Sequence, residues 1–547
     1  MHFFKLIRQE MQGTLQRLVI ISSVAGASNA AALATISFAA QAAGDGKMSG
    51  WMAVLFVVSL FVFVKAQDYL LVASTNEIGA IVYKLQTRLA DQVRQSELLI
   101  LEGIGRPEIL NAIVGHTTTL TQAAYSMALA GQGLAMLFFV AIYIAYLSPL
   151  VFVLSAAIIA AVLRAVYVMN HAHAAGALEA SALEDRMFDR LTDFLDGFKE
   201  VRLSQPRSAA LFEHTVDASS AAANVKIRTQ TETFRGTIFA QSSLYGLLGI
   251  MIFAVPSFID AQGDAIANAT LPLIFLIGTC FGAIQSIPVL AAANAATDSI
   301  IRLEARLRSA RHPSHGPPAE PAKSFDKVEM RDVVFRRIEE SSDAIFQVGP
   351  LNFTLQSGDM VFITGGNGSG KSTFLKLLSG LYEPDSGDVI FDGMRVNDRT
   401  RENYQNLIAA IFSDYHLFHR LYGIPEANAT GLDRLLTYFG LDRKTGIVNG
   451  EFTTLDLSAG QRRRLALIVS LLEQRPILLL DEWTAEQDPD FRRKFYEDLL
   501  PQLSRAGTTV VMVTHDERHL DKLTFPSRRL RMDEGQFVEQ NTAGSGE

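Results

Sequence analysis

Two clusters of residues carry types and spacings that could do phosphate chemistry. The first is Gly365-Gly366-Asn367-Gly368-Ser369-Gly370-Lys371-Ser372-Thr373, which follows the apolar run Val361–Thr364 and opens a helical pattern. Glycines there let backbone N–H groups approach an anion, and the helix N-terminus favours negative charge. In this pattern Lys371 reaches the β and γ phosphates of a nucleotide and Ser372 ligates Mg²⁺. The second cluster is Asp481-Glu482 at the end of Ile477-Leu478-Leu479-Leu480. A run with no polar residue until its end suits a central strand of a parallel sheet. Asp481 is the candidate to hold Mg²⁺, and Glu482 to polarise an attacking water. His515, just past the apolar run Thr509–Thr514, is the candidate contact to the γ-phosphate. A lone Glu or His is more simply a surface residue; the shared strand-end placement argues for the site.

A third element, Leu457-Ser458-Ala459-Gly460-Gln461, stands between these two and occurs once. Loop, LSAGQ and Asp-Glu in this order resemble an ATP-binding-cassette (ABC) ATPase. The resemblance implies that Ser458, the Gly460 backbone and Gln461 clasp the γ-phosphate held by a second cassette. One copy per chain therefore implies a homodimer with ATP between the cassettes. Asp488 matches the aspartate that follows the Asp-Glu pair in such proteins.

The elements that must position this chemistry occupy the second part of the chain. Residues 324–547 alternate strand and helix patterns, an α/β P-loop nucleotide-binding domain. Residues 311–323, rich in proline, form a semi-extended linker. Residues 1–310 form an α-helical membrane domain. Only 19% of the 547 residues are charged, below the roughly 25% of soluble proteins, and the deficit falls in this first part. A bilayer core takes about 20 apolar residues as helix, which predicts six spans at 18–43, 51–73, 125–146, 149–169, 237–259 and 271–293. Lys5, Arg8 and Arg17 flank the first and place the N-terminus in the cytoplasm. A cleavable signal is the competing reading, because Ala40-Gln41-Ala42 resembles a cleavage site. The run 18–43 is longer than the roughly 7–15 apolar residues of a signal core, which favours a span.

The predicted outer connections, 44–50, 147–148 and 260–270, are short. The inner ones, 74–124 and 170–236, are long enough for helices that run out and back. Such hairpins turn at short coupling helices, expected near 102–107, where Gly103, Gly105 and Pro107 break the helix, and near 196–202, where Phe198 and Val201 form an apolar knob. Ordinary solvated turns are the simpler reading; the architecture favours coupling.

Other features have plainer readings. Lys65 and Asp68 lie at i, i+3 within span two and share a helix face. A mutual ion pair is the simpler account, a polar point in a substrate path the functional one. His171 and His173 are more simply interfacial than metal-binding. Pro256, Pro272 and Pro288 can kink spans five and six. Cys280, the one cysteine, excludes an intrachain disulfide. The net charge of −8 argues against a nucleic-acid partner.

The whole pattern resembles ABC exporters of the half-transporter type, in the six-span exporter fold. Finer marks resemble one branch, the cyclic-peptide and siderophore exporters, including microcin, pyoverdine and syringomycin transporters. They are Phe346–Leu351, the phosphate loop, Phe412–Phe418, Asp481–Pro489, Phe491–Tyr496 and Leu499–Pro501, with Trp483 after the Asp-Glu pair as the most specific. The resemblance implies ATP hydrolysis with Mg²⁺, export of a small amphipathic or cyclic peptide, and a bacterial inner-membrane location with the cassette in the cytoplasm. An exporter-fold siderophore importer and a lipid flippase or multidrug-type exporter are the alternatives.

Three positions depart from the common pattern. Ser413 stands where a Mg²⁺-binding glutamine is usual, which puts metal contact there in doubt; Asp414 beside it could substitute through water. Arg337, two positions after Phe335, replaces the tyrosine that stacks on adenine, and its guanidinium can stack on a purine. Ala459 replaces a glycine and is small enough to cost little.

Overall fold

The computed structural model describes residues 2–11, 13–44, 49–254, 263–309, 323–338, 345–424 and 431–538. Two compact units emerge: residues 1–94 with 104–308, and residues 95–103 with 309–547. A short segment from the first inner hairpin, residues 95–103, belongs to the second unit.

The first unit is helical. In chain order come α1 (His2–Glu10), α2 (Thr14–Gly44), α3 (Gly50–Arg94), α4 (Leu98–Ile104), α5 (Arg106–Leu110), α6 (Thr117–Leu147), α7 (Pro149–Asp196), α8 (Phe198–Leu203), α9 (Gln205–Gly249) and α10 (Gly263–Ser309), of which α4, but for Ile104, belongs to the second unit. Six are long and apolar enough to cross a membrane. With 45 residues in α3 and 48 in α7, at about 1.5 Å per residue these helices far exceed a bilayer core of about 30 Å. They supply the predicted inner hairpins. Met136, Val140, Ile144, Leu244, Met251, Leu273 and Cys280 are among the side chains buried where α2, α6, α7, α9 and α10 meet. Trp51, Phe61, Val64 and Phe138 remain exposed, as apolar solvent permits and water does not.

Both predicted hairpin turns contain short helices. Gly105 adopts φ 84 and Pro107 opens α5, so the chain bends there for the reasons read from sequence. At the second turn Gly197 ends α7, and Ser204 caps α9 with Pro206 in its first turn. The expected knob differs in detail. Val201 is buried, while Phe198 and Leu203 are exposed, so the apolar knob is Val201 alone.

Lys65 and Asp68 do not pair. Both are exposed on α3, and no ion pair joins them among the described residues. Pro272 and Pro288 lie inside α10. Pro256, the side chains of His171 and His173, and residues 311–322 of the linker lie outside the described residues.

The second unit holds two sheets. An antiparallel sheet has the order β2-β1-β4-β5, from β1 (Lys327–Ile338), β2 (Ile345–Gln356), β4 (Ser386–Phe391) and β5 (Met394–Arg395). The larger sheet has the order β12-β11-β3-β10-β9-β6. Its strands are β3 (Met360–Gly365), β6 (Ile408–Ile411), β9 (Ile477–Asp481), β10 (Thr509–Val513), β11 (Arg528–Asp533) and β12 (Gln536–Val538); β7 (Ile447–Val448) and β8 (Glu451–Phe452) form a separate hairpin. All neighbours in the larger sheet are parallel except β11 and β12. Strands β9 and β10 are buried throughout, as their unbroken apolar runs require.

Candidate functional site

Strand register brings the phosphate-chemistry residues together. Val513 pairs with Ile363 on one side and with Asp481 on the other. The loop after β3, the Asp-Glu pair after β9 and His515 after β10 therefore emerge at one edge of the sheet. Ligands of open α/β sheets bind at that carboxyl edge. A cleft of about 1130 Å³ lies there, lined by Asn367, Gly368, Gly370, Lys371, Ser372, Thr373 and Glu482.

The phosphate loop has the geometry its glycines predicted. Gly368 and Gly370 adopt φ 78 and 98, left-handed values that favour glycine. A Cβ on Gly370 would also stand 2.9 Å from the Val348 side chain. Helix α11 (Lys371–Leu378) starts at once, with its N-terminus facing the loop. The buried Lys371 ammonium donates to the carbonyls of Gly365 at 3.1 Å and Gly366 at 2.7 Å, so it lies over the loop mouth.

Asp481 is almost completely buried. Burial raises its pKa; the Ser372 hydroxyl and the Ser413 backbone amide beside it pull the other way, while the Glu482 charge adds to the rise. Neither carboxylate oxygen has a well-directed hydrogen bond. A buried carboxylate left so is a costly arrangement unless a cation completes it. Asp481 and Ser372 therefore fit a hard divalent ion such as Mg²⁺. At Ser413 it is the backbone amide that reaches Asp481, and the residue itself is exposed.

Glu482 occupies a left-handed conformation, φ 49 and ψ 36. Such strain in a non-glycine residue persists where the surroundings enforce it. The Glu482 amide donates to the Val513 carbonyl at 3.1 Å, and its carbonyl accepts from Arg463. The carboxylate Oε1 lies 3.1 Å from His515 Nε2. The two candidate catalytic residues thus touch each other.

The LSAGQ segment lies elsewhere: none of residues 457–461 lines the cleft. Ser458 caps helix α12 (Ala459–Leu472) and makes a capping box with Gln461, whose side chain accepts from the Ser458 amide at 3.1 Å. Gln461 thus has a structural task within its own chain. Gly460 is indispensable by contact. A Cβ there would stand 2.6 Å from the Glu486 carbonyl oxygen, and Gln487 Nε2 donates to the Gly460 carbonyl at 3.2 Å. Ala459 is exposed.

Sequence reasoning missed the clamp around that glycine. Arg464 donates to Gln487 Oε1 at 2.9 Å, pairs with Asp488 and covers the Phe491 ring at 3.9 Å. Arg463 pairs with Glu486 at 3.0 Å, and Trp483 Nε1 donates to the Arg463 carbonyl at 3.0 Å. Asp488, with its amide bond from Phe491 and the Arg464 charge, is held below the usual carboxylate range. The run Arg462-Arg463-Arg464 facing Glu486 and Asp488 was the available signal. We expect Gly460→Ala to lower ATPase activity at least tenfold while leaving nucleotide binding by the same chain within about twofold, since the clash of about 2–3 kcal/mol falls on the LSAGQ clamp. Equilibrium nucleotide binding beside turnover measures this; equal loss of both would contradict it.

Arg337 also lines the cleft, with its cross-strand partner Phe346. Leu99, Glu102 and Gly103 complete that end; sequence had placed Glu102 and Gly103 in the first coupling turn and not in the nucleotide site.

Fold and site define a class. The chain has the fold of an ABC exporter half: it aligns with a structure described as a bacterial Atm1-family ABC exporter with ATP bound, at TM-score 0.76 and 17% identity, over 97% of this chain and 95% of that one. Residues 348–485 match the family model described as ABC transporter. Among curated proteins, ATP-binding protein SyrD of Pseudomonas syringae pv. syringae is 37% identical over 311 residues, 54% of this chain and 54% of that protein. The ATP-dependent lipid A-core flippase of Xanthomonas campestris pv. campestris is 28% identical over 344 residues, 58% of this chain and 55% of that protein. The chain thus spans about half the length of these relatives.

Proposed function

We propose that this chain is one half of a homodimeric, ATP-driven exporter in the bacterial inner membrane, carrying small amphipathic or cyclic peptides out of the cytoplasm. The observation that carries the reading is the separation of the site: Lys371, Asp481, Glu482 and His515 share one edge, while none of residues 457–461 joins Lys371 and Glu482 in lining the cleft there. A second copy supplies the missing LSAGQ. Ser458 and the helix N-terminus at Gly460 then face the γ-phosphate held by the first chain.

In the cycle, the phosphate-loop amides and Lys371 bind the triphosphate. Mg²⁺, held by Ser372 and Asp481, would neutralise phosphate charge. Glu482 orients the attacking water and accepts its proton, and His515 fixes the carboxylate. Closing two cassettes on ATP drives the long helices between inward- and outward-open states. Moving such an equilibrium from 1:99 to 99:1 takes about 5.5 kcal/mol of differential binding.

The peptide assignment rests on the resemblance at Asp481-Glu482-Trp483 and Phe412–Phe418. The likeness to lipid A-core flippases favours a lipid cargo as the second reading. In proteoliposomes, cyclic or knotted peptides are expected to stimulate ATPase about two- to fivefold and to be carried in the direction from the cassette side. Stimulation by lipid A-type lipids alone would favour a flippase, and movement toward the cassette side an importer.

A further inference from the structure

The cleft that holds the phosphate loop continues to Arg337, Phe346, Leu99 and Glu102. Residues 95–103, between α3 and α5, belong to the same compact unit as the sheets. Leu98 and Leu99 pack against the core beneath β1 and α11, which anchors the segment.

Glu102 sits where three donors converge. Its Oε2 accepts from the Tyr382 hydroxyl at 2.7 Å and its Oε1 from Lys376 Nζ at 2.9 Å. Arg337 Nη1 lies 3.5 Å from Oε2. Burial alone would raise the Glu102 pKa; the bonds from Tyr382 and Lys376, with the Lys376 and Arg337 charges, bring it below the ordinary range. The partners are themselves fixed. Lys376 is on α11, the helix that begins with Lys371. Tyr382 is buried and stacks on Phe335 at 5.0 Å, two residues before Arg337 on β1.

Arg337 is half-exposed, and a free arginine side chain samples many rotamers at a cost of up to about 2 kcal/mol when ordered. A guanidinium held flat can stack on a purine; a mobile one does so less well. We infer that Glu102 is a positioning residue of the nucleotide site: it holds the Arg337 guanidinium beside Phe346 as a platform for the purine base. The inference rests on the reading of this cleft as an ATP site. It makes a residue of the first hairpin part of base binding, so the hairpin and the base report on each other.

The test uses the full-length protein, reconstituted, with steady-state hydrolysis of ATP and CTP. Glu102→Gln keeps one acceptor oxygen, enough for Lys376, turns an NH2 donor toward the Tyr382 hydroxyl, and removes the charge that holds Arg337. It is expected to raise KM for ATP roughly five- to tenfold, with kcat within about threefold. Glu102→Ala should do the same, and both should shrink the preference for ATP over CTP, because a pyrimidine stacks over less area. Arg337→Ala should raise KM to a similar degree, and the double variant no further than Arg337→Ala alone. Unchanged KM in both Glu102 variants overturns the inference, as does an additive double variant. A fall in kcat without a rise in KM also overturns it, since that marks a purely structural role. Wild-type protein that bound no ATP would overturn the nucleotide reading first, and this inference with it.

Discussion

Replacing Glu482 by glutamine is expected to slow ATP hydrolysis by at least 10²-fold while leaving ATP binding intact, so that the protein accumulates as a closed, ATP-loaded dimer. General-base removal costs about 10²–10⁴-fold. Glutamine has the same length and can still bond to His515, which stands 3.1 Å from the carboxylate. The strained backbone at φ 49 is also no harder for glutamine than for glutamate. Loss of turnover therefore reports on the proton acceptor alone. Retained radiolabelled ATP on the solubilised dimer, set against steady-state phosphate release, measures it. Wild-type turnover in this variant would remove Glu482 from its role.

Asp481→Asn should have an equally large effect, with a signature in stability. Burial raises the Asp481 pKa, and the adjacent Glu482 charge adds to it against the pull of the nearby Ser372 hydroxyl and Ser413 amide. A carboxyl raised in the folded state is protonated there to higher pH than in the unfolded chain. Its contribution to stability is therefore full below the unfolded value and is lost as pH rises through the raised one. At neutral pH the buried charge is a cost unless a divalent ion lies beside it. Asparagine removes that cost. Without Mg²⁺ and nucleotide, the variant should melt at or above the wild-type temperature. With Mg²⁺ and ATP, wild type should gain several degrees by ligand linkage and the variant little, and hydrolysis should fall at least 10²-fold. In wild type the Mg²⁺ requirement should sharpen as pH falls, because protons compete for the same oxygens. A variant that kept its Mg²⁺-dependent shift in melting would place the metal elsewhere.

The candidate phosphate loop was legible in the sequence because its rules are local. A strand, a glycine loop and a helix start lie within about fifteen residues, and left-handed φ at Gly368 and Gly370 follows from the chemistry of glycine. The apolar runs of β9 and β10 declared central strands, so the neighbourhood of Asp481, Glu482 and His515 followed from the parallel order. Membrane spans were legible for a different reason: bilayer thickness sets a length, and six helices meet it.

What depended on side chains meeting across the chain was not legible. Gly460 looked like part of a motif, but its necessity lies in the Glu486 carbonyl 2.6 Å from a Cβ it lacks. Gln461 is also half of a capping box, which its place in the motif did not announce. Lys65 and Asp68 share a helix face, yet each stands exposed without the other. Glu102 lies 274 residues before Lys376 and bonds to it at 2.9 Å. By itself the sequence determined the backbone elements and the order of the phosphate machinery, since spacing and residue type act over a few bonds. Only the tertiary structure decided which charges pair, because ion pairs and close contacts depend on packing between elements that no spacing rule relates.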